Sequence, residues 1–272
     1  MNNIDIEQSR QRCQKYRERI LDISQQVDAL HGAGAFSAIE IVDCIYNELM
    51  RGAPGSDSPD KFIMSKGHGC MSQYVVLEDL GILSRQDLDR YCKSDGRLGC
   101  HPDYGNPGIE ASTGSLGHGM GLATGMAYAE KYIKMKDGIF YVVFSDGEFQ
   151  EGSTWECMMM AANLKLSNLV GIMDHNGFQS FGRTSETHPA FYPIREKLES
   201  FGWEATEVDG HNSEEIFKAI LSRKGVKPFM LICHTIKGKG VSFMENSPLW
   251  HYRSPSVSEF QKAKAELRNS SL

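Results

Sequence analysis

The chain has 272 residues, of which 40% are hydrophobic, and a formal net charge of −6 at neutral pH. This length is sufficient for one large core or two small ones. The acidic balance and the lack of any basic run of five residues argue against nucleic acid as a main partner, and without an apolar run of about 18 residues we expect no membrane span.

The seven cysteines are scattered along the chain and form no CxxC pair. An odd number of cysteines without paired spacing is typical of reduced thiols in a cytoplasmic protein. The N-terminal segment is polar and lacks the apolar core of a signal peptide. We therefore expect a cytoplasmic location.

In chain order, the first predicted elements are helices with one short strand. Helical spacing of apolar residues covers 8–30. The segment Ser37-Ala38-Ile39-Glu40 fits a capping box and predicts a second helix that runs to about residue 50. A short strand over 61–65, a helix from Gly67 and a short capped helix from Ser84 follow.

Residues 95–114 are rich in glycine, proline and aspartate and predict a long ordered loop. Loops of this length within a compact domain are commonly functional. A helix from Leu116 then carries Gly117, Gly121 and Gly125 at four-residue spacing. This spacing predicts close backbone packing of the helix against a neighbour.

The central segment predicts a strand–helix–strand unit over 139–144, 150–166 and 169–173. Asp146 follows the first strand and Asn176 follows the second. The carboxyl ends of parallel strands meet at one edge of a sheet, where open α/β folds bind ligands. Carboxylate and amide oxygens suit Mg²⁺ or Ca²⁺, which often bridge to phosphates.

The C-terminal third continues the alternation of strands and helices. A loop is predicted over 182–193, strands over 203–208 and 228–233, and helices over 193–201, 213–223 and 258–268. The pattern predicts an α/β fold with three layers, in which a mostly parallel sheet has helices on both faces. We expect one domain over residues 1–272.

Several of the nine histidines lie in glycine-rich loops: His31, His68, His101, His118 and His251. One such histidine alone is best explained by hydrogen bonds to nearby backbone. Five of them on a chain with a predicted metal and phosphate motif favour a shared site, because imidazole can donate to phosphate and transfer protons near neutral pH. The spacings contain no HxxxH or HExxH pair, which argues against zinc.

The residues around Asp146 resemble a known cofactor motif. The run from Asp146 through Gly152, then Trp155-Glu156 and Asn176, resembles the thiamine-diphosphate motif of transketolases. Ser145 stands where that family usually has glycine. The resemblance extends over nearly the whole chain, because the loop histidines and the segment Gly114 to Gly119 occur in the family's order.

The resemblance implies thiamine diphosphate and Mg²⁺ as cofactors, with Ca²⁺ or Mn²⁺ as substitutes. The implied metal ligands are the side chains of Asp146 and Asn176 and the carbonyl of Phe178. The implied cofactor-binding residues are these two side chains together with His68, Gly114, Leu116, Gly147, Glu151 and His251. Glu151 resembles the family's interface glutamate, which pairs with a glutamate of the partner.

The resemblance also implies an activity, namely transfer of a two-carbon ketol unit from a ketose phosphate to an aldose phosphate. His31, His101 and His251 are the candidate catalytic residues, for proton transfer and for binding sugar hydroxyls. Loss of one positioned acid–base group costs about 10²–10⁴ in rate.

Full-length transketolases resemble this chain over roughly their first half only. We therefore expect the chain to be the N-terminal subunit of a split transketolase that is inactive alone. The expected partner is a C-terminal transketolase subunit with the pyrimidine-binding and C-terminal domains, in an α₂β₂ assembly.

Three alternatives stay open from the sequence. The first is a specialised transketolase for a branched sugar such as apulose 4-phosphate. The second is the α subunit of a 2-oxo-acid dehydrogenase, although such chains are typically longer. The third is a non-catalytic domain that only binds a partner.

Overall fold

Five parallel strands form the central sheet of the protein. The computed structural model describes residues 4–54, 58–180 and 182–269. The strands are β1 (Lys61–Met64), β2 (Phe140–Ser145), β3 (Leu169–His175), β6 (Glu204–Asp209) and β7 (Phe229–His234). They lie in the order β1-β2-β3-β7-β6, and every neighbouring pair is parallel. A short antiparallel hairpin, β4 (Phe178–Gln179) with β5 (Gly182–Arg183), follows β3.

The helices surround this sheet. Their bounds are α1 Ile6–Ser24, α2 Gly32–Ser37, α3 Ile39–Cys44, α4 Cys70–Asp79, α5 Arg85–Asp89, α6 His118–Tyr128, α7 Gly152–Asn163, α8 Thr184–Thr187, α9 Ile194–Ser200, α10 Ser213–Leu221 and α11 Val257–Asn269. Single wider π turns, Ile45–Leu49 and Ala129–Ile133, extend α3 and α6. Within the described residues, none of the helices is both long and apolar enough to cross a membrane.

Two hydrophobic cores lie on opposite faces of the sheet. Along β2, Tyr141 and Val143 point into the core that includes α1, α3, α4, α10 and α11. Phe140, Val142 and Phe144 point into the core that includes α6, α7 and α9. Successive side chains of a strand face opposite sides, so a sheet that is apolar along its whole length must be covered on both faces. The predicted three-layer α/β fold is confirmed.

The strand order changes direction between β3 and β7. The chain leaves β3, crosses to the far edge to form β6, and returns to place β7 beside β3. In open α/β sheets this switch point leaves a crevice at the carboxyl ends of the two strands. The predicted residues after β2 and β3 therefore border the crevice.

The predicted start of the second helix was wrong. Ser37 is the last residue of α2, and its hydroxyl bonds to Gly34 and Asp174 instead of capping a helix. Helix α3 begins after Ala38, which has no side-chain cap. The first helix was also predicted too long, since α1 ends at Ser24. The local sequence fits a capping box, but the Ser37 hydroxyl instead donates a hydrogen bond to Asp174, which is distant in the chain.

Other local predictions agree with the structure. Ser84 forms a capping box with Asp87. Residues 95–114 form an ordered loop without a helix or strand. The segment 182–193, predicted as a loop, contains the short elements β5 and α8. Strands of two residues carry too little alternation to be recognised in a sequence.

The predicted close packing of α6 is present within the chain. A Cβ on Gly117 would lie 2.5 Å from Ser153 Oγ, and one on Gly121 would lie 3.4 Å from Cys157 Sγ. Both contacts are with α7. A Cβ on Gly125 would meet nothing within 4 Å. Two of the three glycines thus pack closely against α7, whereas the space beside Gly125 is open.

We expect Gly119→Ala to destabilise the protein by about 1–3 kcal/mol or more, because overpacking forces backbone shifts. The added Cβ would lie 2.7 Å from the Ser65 Cα and closer still to the Ser65 side chain. Gly125→Ala on the same helix is the matched control and should stabilise the isolated chain by up to about 1 kcal/mol. Urea denaturation measures both. Equal stabilities for the two variants would contradict the packing of α6 on the end of β1.

Candidate active site

A cavity of about 370 Å³ opens at the carboxyl edge of the sheet, at the switch point. Apart from Asp146, every residue to which the resemblance assigned a role lines it. These residues are His31, His68, His101, Gly114, Leu116, Gly147, Glu151, Asn176, Phe178 and His251. The structure therefore brings residues from the whole length of the chain to one place. Their chemical roles remain predictions.

His118 is the loop histidine that the structure leaves outside the cavity. It is the exposed first residue of α6, and its Nδ1 lies 3.1 Å from the Leu116 carbonyl oxygen. The local explanation, a histidine satisfied by nearby backbone, applies to this residue.

Asp146 is fully buried and stands in the chain between two residues that line the cavity, Ser145 and Gly147. Its Oδ2 accepts the backbone amides of Asn176 and Gly177 at 3.0 and 3.1 Å. Its Oδ1 accepts a hydrogen bond from His175 Nδ1. A carboxylate offers about four lone-pair positions, so these bonds hold the group in place and leave acceptor capacity.

The backbone of Asn176 is bonded to Asp146, and the Phe178 carbonyl follows two residues later in the chain. Asn176 Oδ1 accepts the Phe178 amide at 3.0 Å, and its Nδ2 donates to Ser37 Oγ at 3.3 Å. The amide oxygen is therefore fixed at the end of β3. One carboxylate, one amide and one carbonyl suit a hard cation that also binds the oxygens of a phosphate ligand.

A buried ion pair between Lys66 and Asp174 lies at the cavity, which Lys66 lines. Lys66 is 1% exposed and pairs with Asp174, which is fully buried at the end of β3. Asp174 also accepts Ser37 Oγ at 2.6 Å and the hydroxyl of Thr235, which follows β7. Lys66 Nζ donates in addition to the Gly34 carbonyl at 2.7 Å. The network joins the ends of β1, β3 and β7 to α2.

Three of the histidines pack against one another. The ring centroid of His31 lies 5.3 Å from those of both His68 and His251, and 6.5 Å from that of His101. Burial, with smaller contributions from neighbouring basic groups, lowers the pKa of His31 to about 3 and that of His251 to about 4. These two imidazoles are neutral at pH 7 and can accept hydrogen bonds.

Lys237 provides a second cation in the cavity. Its Nζ donates to His251 Nδ1 at 2.8 Å, and the residue is 2% exposed. Burial and the charge of Lys66 lower the pKa of Lys237 to about 8, so it is mostly protonated at pH 7. Lys237 therefore brings a positive charge to the cavity of this acidic chain, and such a charge attracts an anionic ligand.

Glu148 connects the turn after β2 with the loop before α6. Its Oε1 accepts the hydroxyl of Ser65 and, at 3.1 Å, the amide of Gly117, whereas Oε2 has no hydrogen-bond partner among the described residues. Burial raises the pKa of Glu148 to about 7, against the opposing effect of those two donors. The carboxyl fixes the position of Leu116 and Gly117 beside the cavity.

Sequence reasoning did not assign roles to Lys66, Asp174 and Lys237. Each lay inside a motif that was singled out for another residue: Lys66 before His68, Asp174 before Asn176, and Lys237 in a glycine-rich turn. For Lys237, the available signal of a functional role was its position in a glycine-rich turn after a predicted strand. Their pairing depends on tertiary contacts that the sequence pattern does not contain.

The fold and the cavity together define a class of protein, namely an α/β protein with a cavity at its sheet edge that histidines, lysines and oxygen-bearing residues line. Comparison with known proteins agrees with this class. The family described as transketolase, thiamine diphosphate binding domain, matches residues 9–267. The chain therefore belongs to the transketolase family, in its thiamine-diphosphate-binding domain.

Two relatives are subunits of similar length. The chain is 36% identical over 269 residues to an apulose-4-phosphate transketolase subunit of Phocaeicola vulgatus, covering 97% of this chain and 95% of that one. It is 35% identical to the 6-deoxy-6-sulfo-D-fructose transketolase subunit SqwG of a Clostridium species, covering 87% and 88%.

Solved transketolases share the fold but are longer. The transketolase of Campylobacter jejuni superposes with a TM-score of 0.89 at 27% sequence identity, covering 98% of this chain but 43% of that one. The chain thus spans less than half of that protein. These findings favour the transketolase prediction over the non-catalytic domain and over the 2-oxo-acid dehydrogenase subunit.

We expect His31 to contribute a fall in the free energy of unfolding as the pH drops from about 6.5 towards 4. His31 takes up a proton in the unfolded chain near its ordinary pKa but stays neutral in the fold, where burial lowers its pKa to about 3. His31→Asn should therefore make this fall shallower. Urea denaturation at several pH values measures the effect.

His188→Asn, which removes an exposed histidine, is the control and should follow the wild type. An identical pH dependence for wild type and His31→Asn would contradict a neutral, buried His31.

Proposed function

We propose that this chain is the N-terminal subunit of a split, Mg²⁺- and thiamine-diphosphate-dependent transketolase. The assembled enzyme transfers a two-carbon ketol unit from a ketose phosphate to an aldose phosphate. The observation that carries the proposal is the convergence of the predicted residues on one cavity. The oxygen ligands at the ends of β2 and β3 border it, and four histidines and two lysines line it.

The residues fit a diphosphate and its metal ion. Asp146, Asn176 and the Phe178 carbonyl would hold the metal, and a single protein carboxylate leaves the remaining charge to be neutralised by the diphosphate. The Gly147 amide would bind the phosphate oxygens. His68, His251 and Lys237 supply the donors and positive charge for the same oxygens, whereas Gly114 and Leu116 shape the rest of the pocket.

Thiamine diphosphate, when bound, supplies the carbon nucleophile for cleaving and forming the bonds between sugar carbons. The chain contributes binding, orientation and proton transfer. His31 and His251 are neutral at pH 7 and would accept hydrogen bonds from substrate hydroxyls and take part in proton transfer. His101, whose Nδ1 lies 3.2 Å from Cys100 Sγ, lies at the same cavity and would bind a hydroxyl.

The names of the relatives favour a second candidate, a specialised anionic ketose as the donor. Two relatives are named as apulose-4-phosphate transketolase subunits, and another is named for 6-deoxy-6-sulfo-D-fructose. The chemistry at the cofactor would be unchanged. The identity of the ketose would then depend on residues of the partner as well as on this chain.

The naming of these relatives as subunits also supports a partner chain, and one face of the protein fits such a partner. Seven large apolar side chains between residues 122 and 160, on α6, its continuation, the residues just after it and α7, are exposed: Leu122, Tyr128, Tyr132, Ile133, Met135, Met159 and Met160. Extended exposed apolar surface marks interaction sites. Gly125 on the same face leaves space for close approach, and Glu151 lies exposed at the cavity rim. We place the C-terminal subunit of an α₂β₂ assembly here.

The experiment that tests the proposal is reconstitution with a purified C-terminal transketolase subunit, thiamine diphosphate and Mg²⁺. Ketol transfer from xylulose 5-phosphate or apulose 4-phosphate to an aldose phosphate is followed by product analysis. We expect activity in the mixture and none from either chain alone. Activity of this chain by itself would contradict the need for a partner.

We expect Leu122→Lys to weaken assembly with the partner about tenfold or more, because it buries a charge in an apolar interface. Folding should be unaffected, since the Leu122 side chain is exposed in the isolated chain. Leu221→Lys is the matched control: Leu221 is a similarly exposed leucine at the end of α10, on the opposite face of the sheet. Analytical ultracentrifugation of the mixtures measures both, and equal assembly by the two variants would place the interface elsewhere.

A further inference from the structure

Ser145 is a buried hydroxyl without a partner, and it lies at the cavity. It is the last residue of β2, is 6% exposed and lines the cavity next to Asp146. Among the described residues its Oγ makes no hydrogen bond. A buried polar group without a partner costs free energy, so its retention requires an explanation.

The cavity has a second donor of this kind. Gln150 Nε2 is buried without a hydrogen-bond partner among the residues that the structure describes, and Gln150 lines the same cavity. By contrast, Thr124 on α6 has an equally buried hydroxyl, 6% exposed and likewise unpartnered there, but does not line the cavity. Two unsatisfied donors at one polar cavity indicate that acceptor atoms of a ligand complete the site.

We propose that Ser145 is a further cofactor-binding residue, whose Oγ donates a hydrogen bond to thiamine diphosphate in this cavity. The inference rests on the proposed function, because it takes thiamine diphosphate as the ligand. The contact is particular to this chain: the glycine that the family usually has at this position carries no donor side chain. The register of the sheet places Ser145 opposite Asp174, directly before the metal and diphosphate turn.

The test compares Ser145→Ala with the wild type in two measurements. The first is the dissociation constant of thiamine diphosphate at saturating Mg²⁺, by isothermal titration calorimetry on the full chain with its partner subunit. Loss of a hydrogen bond to a charged ligand should weaken binding about tenfold or more. The second is urea denaturation without cofactor, in which Ser145→Ala should be at least as stable as the wild type, because the unsatisfied hydroxyl is gone.

Thr124→Val is the matched control, since it removes an equally buried hydroxyl outside the cavity. It should leave the dissociation constant of the cofactor unchanged. Ser145→Gly, with the residue usual in the family, is the second variant and should repeat the loss of affinity if Ser145→Ala does not fold. Titration with inorganic diphosphate locates the contact: a weaker affinity of Ser145→Ala for this probe too assigns the hydroxyl to the diphosphate end.

Two results overturn the inference. One is wild-type affinity in both Ser145 variants, and the other is an equal loss in Thr124→Val. Failure of the proposed function gives a different pattern, in which the wild type itself binds no thiamine diphosphate.

Discussion

The buried ion pair between Lys66 and Asp174 is the interaction on which the arrangement of the site depends. Both side chains are almost entirely excluded from solvent. Removing one partner of such a pair costs about 3–5 kcal/mol, because the other charge remains buried and unpaired. Each charged group therefore needs hydrogen-bond partners besides the other charge. Asp174 accepts hydrogen bonds from Ser37 at the end of α2 and from Thr235 after β7. The elements that carry the site are thereby fixed relative to one another.

The same pair is neutral overall, so it adds no net charge to the cavity of this chain of net charge −6. Lys66 Nζ donates to the Gly34 carbonyl in α2. This bond fixes α2 and His31, the residue before it, in the position where the His31 ring packs against His68. Close packing of the imidazoles around two lysines removes water, and this burial keeps His31 and His251 neutral. The positive charge at the cavity then comes from Lys237, while the neutral imidazoles are available for hydrogen bonds.

Much of this could be predicted from the sequence, for a physical reason. Parallel strands must end at one edge of the sheet, so Asp146 and Asn176 could be placed together from the strand–helix–strand pattern alone. Ser37 could not be interpreted in this way: its local context fits a capping box, yet a carboxylate 137 residues away takes its hydroxyl. The hairpin of β4 and β5 was missed because two-residue strands have no readable alternation. Local patterns predict elements, whereas the polar network depends on contacts between distant residues.

The central claim is that the cavity binds thiamine diphosphate through a metal held by Asp146. The most direct test is the dissociation constant of thiamine diphosphate, measured with Mg²⁺ and with EDTA, for wild type and Asp146→Ala in complex with the partner subunit. Asp137→Ala, which removes an exposed carboxylate, is the control. We predict that the wild type and Asp137→Ala bind thiamine diphosphate in Mg²⁺. Both should lose this binding in EDTA, and Asp146→Ala should lose it in Mg²⁺ as well. Unchanged affinity of Asp146→Ala would contradict the account.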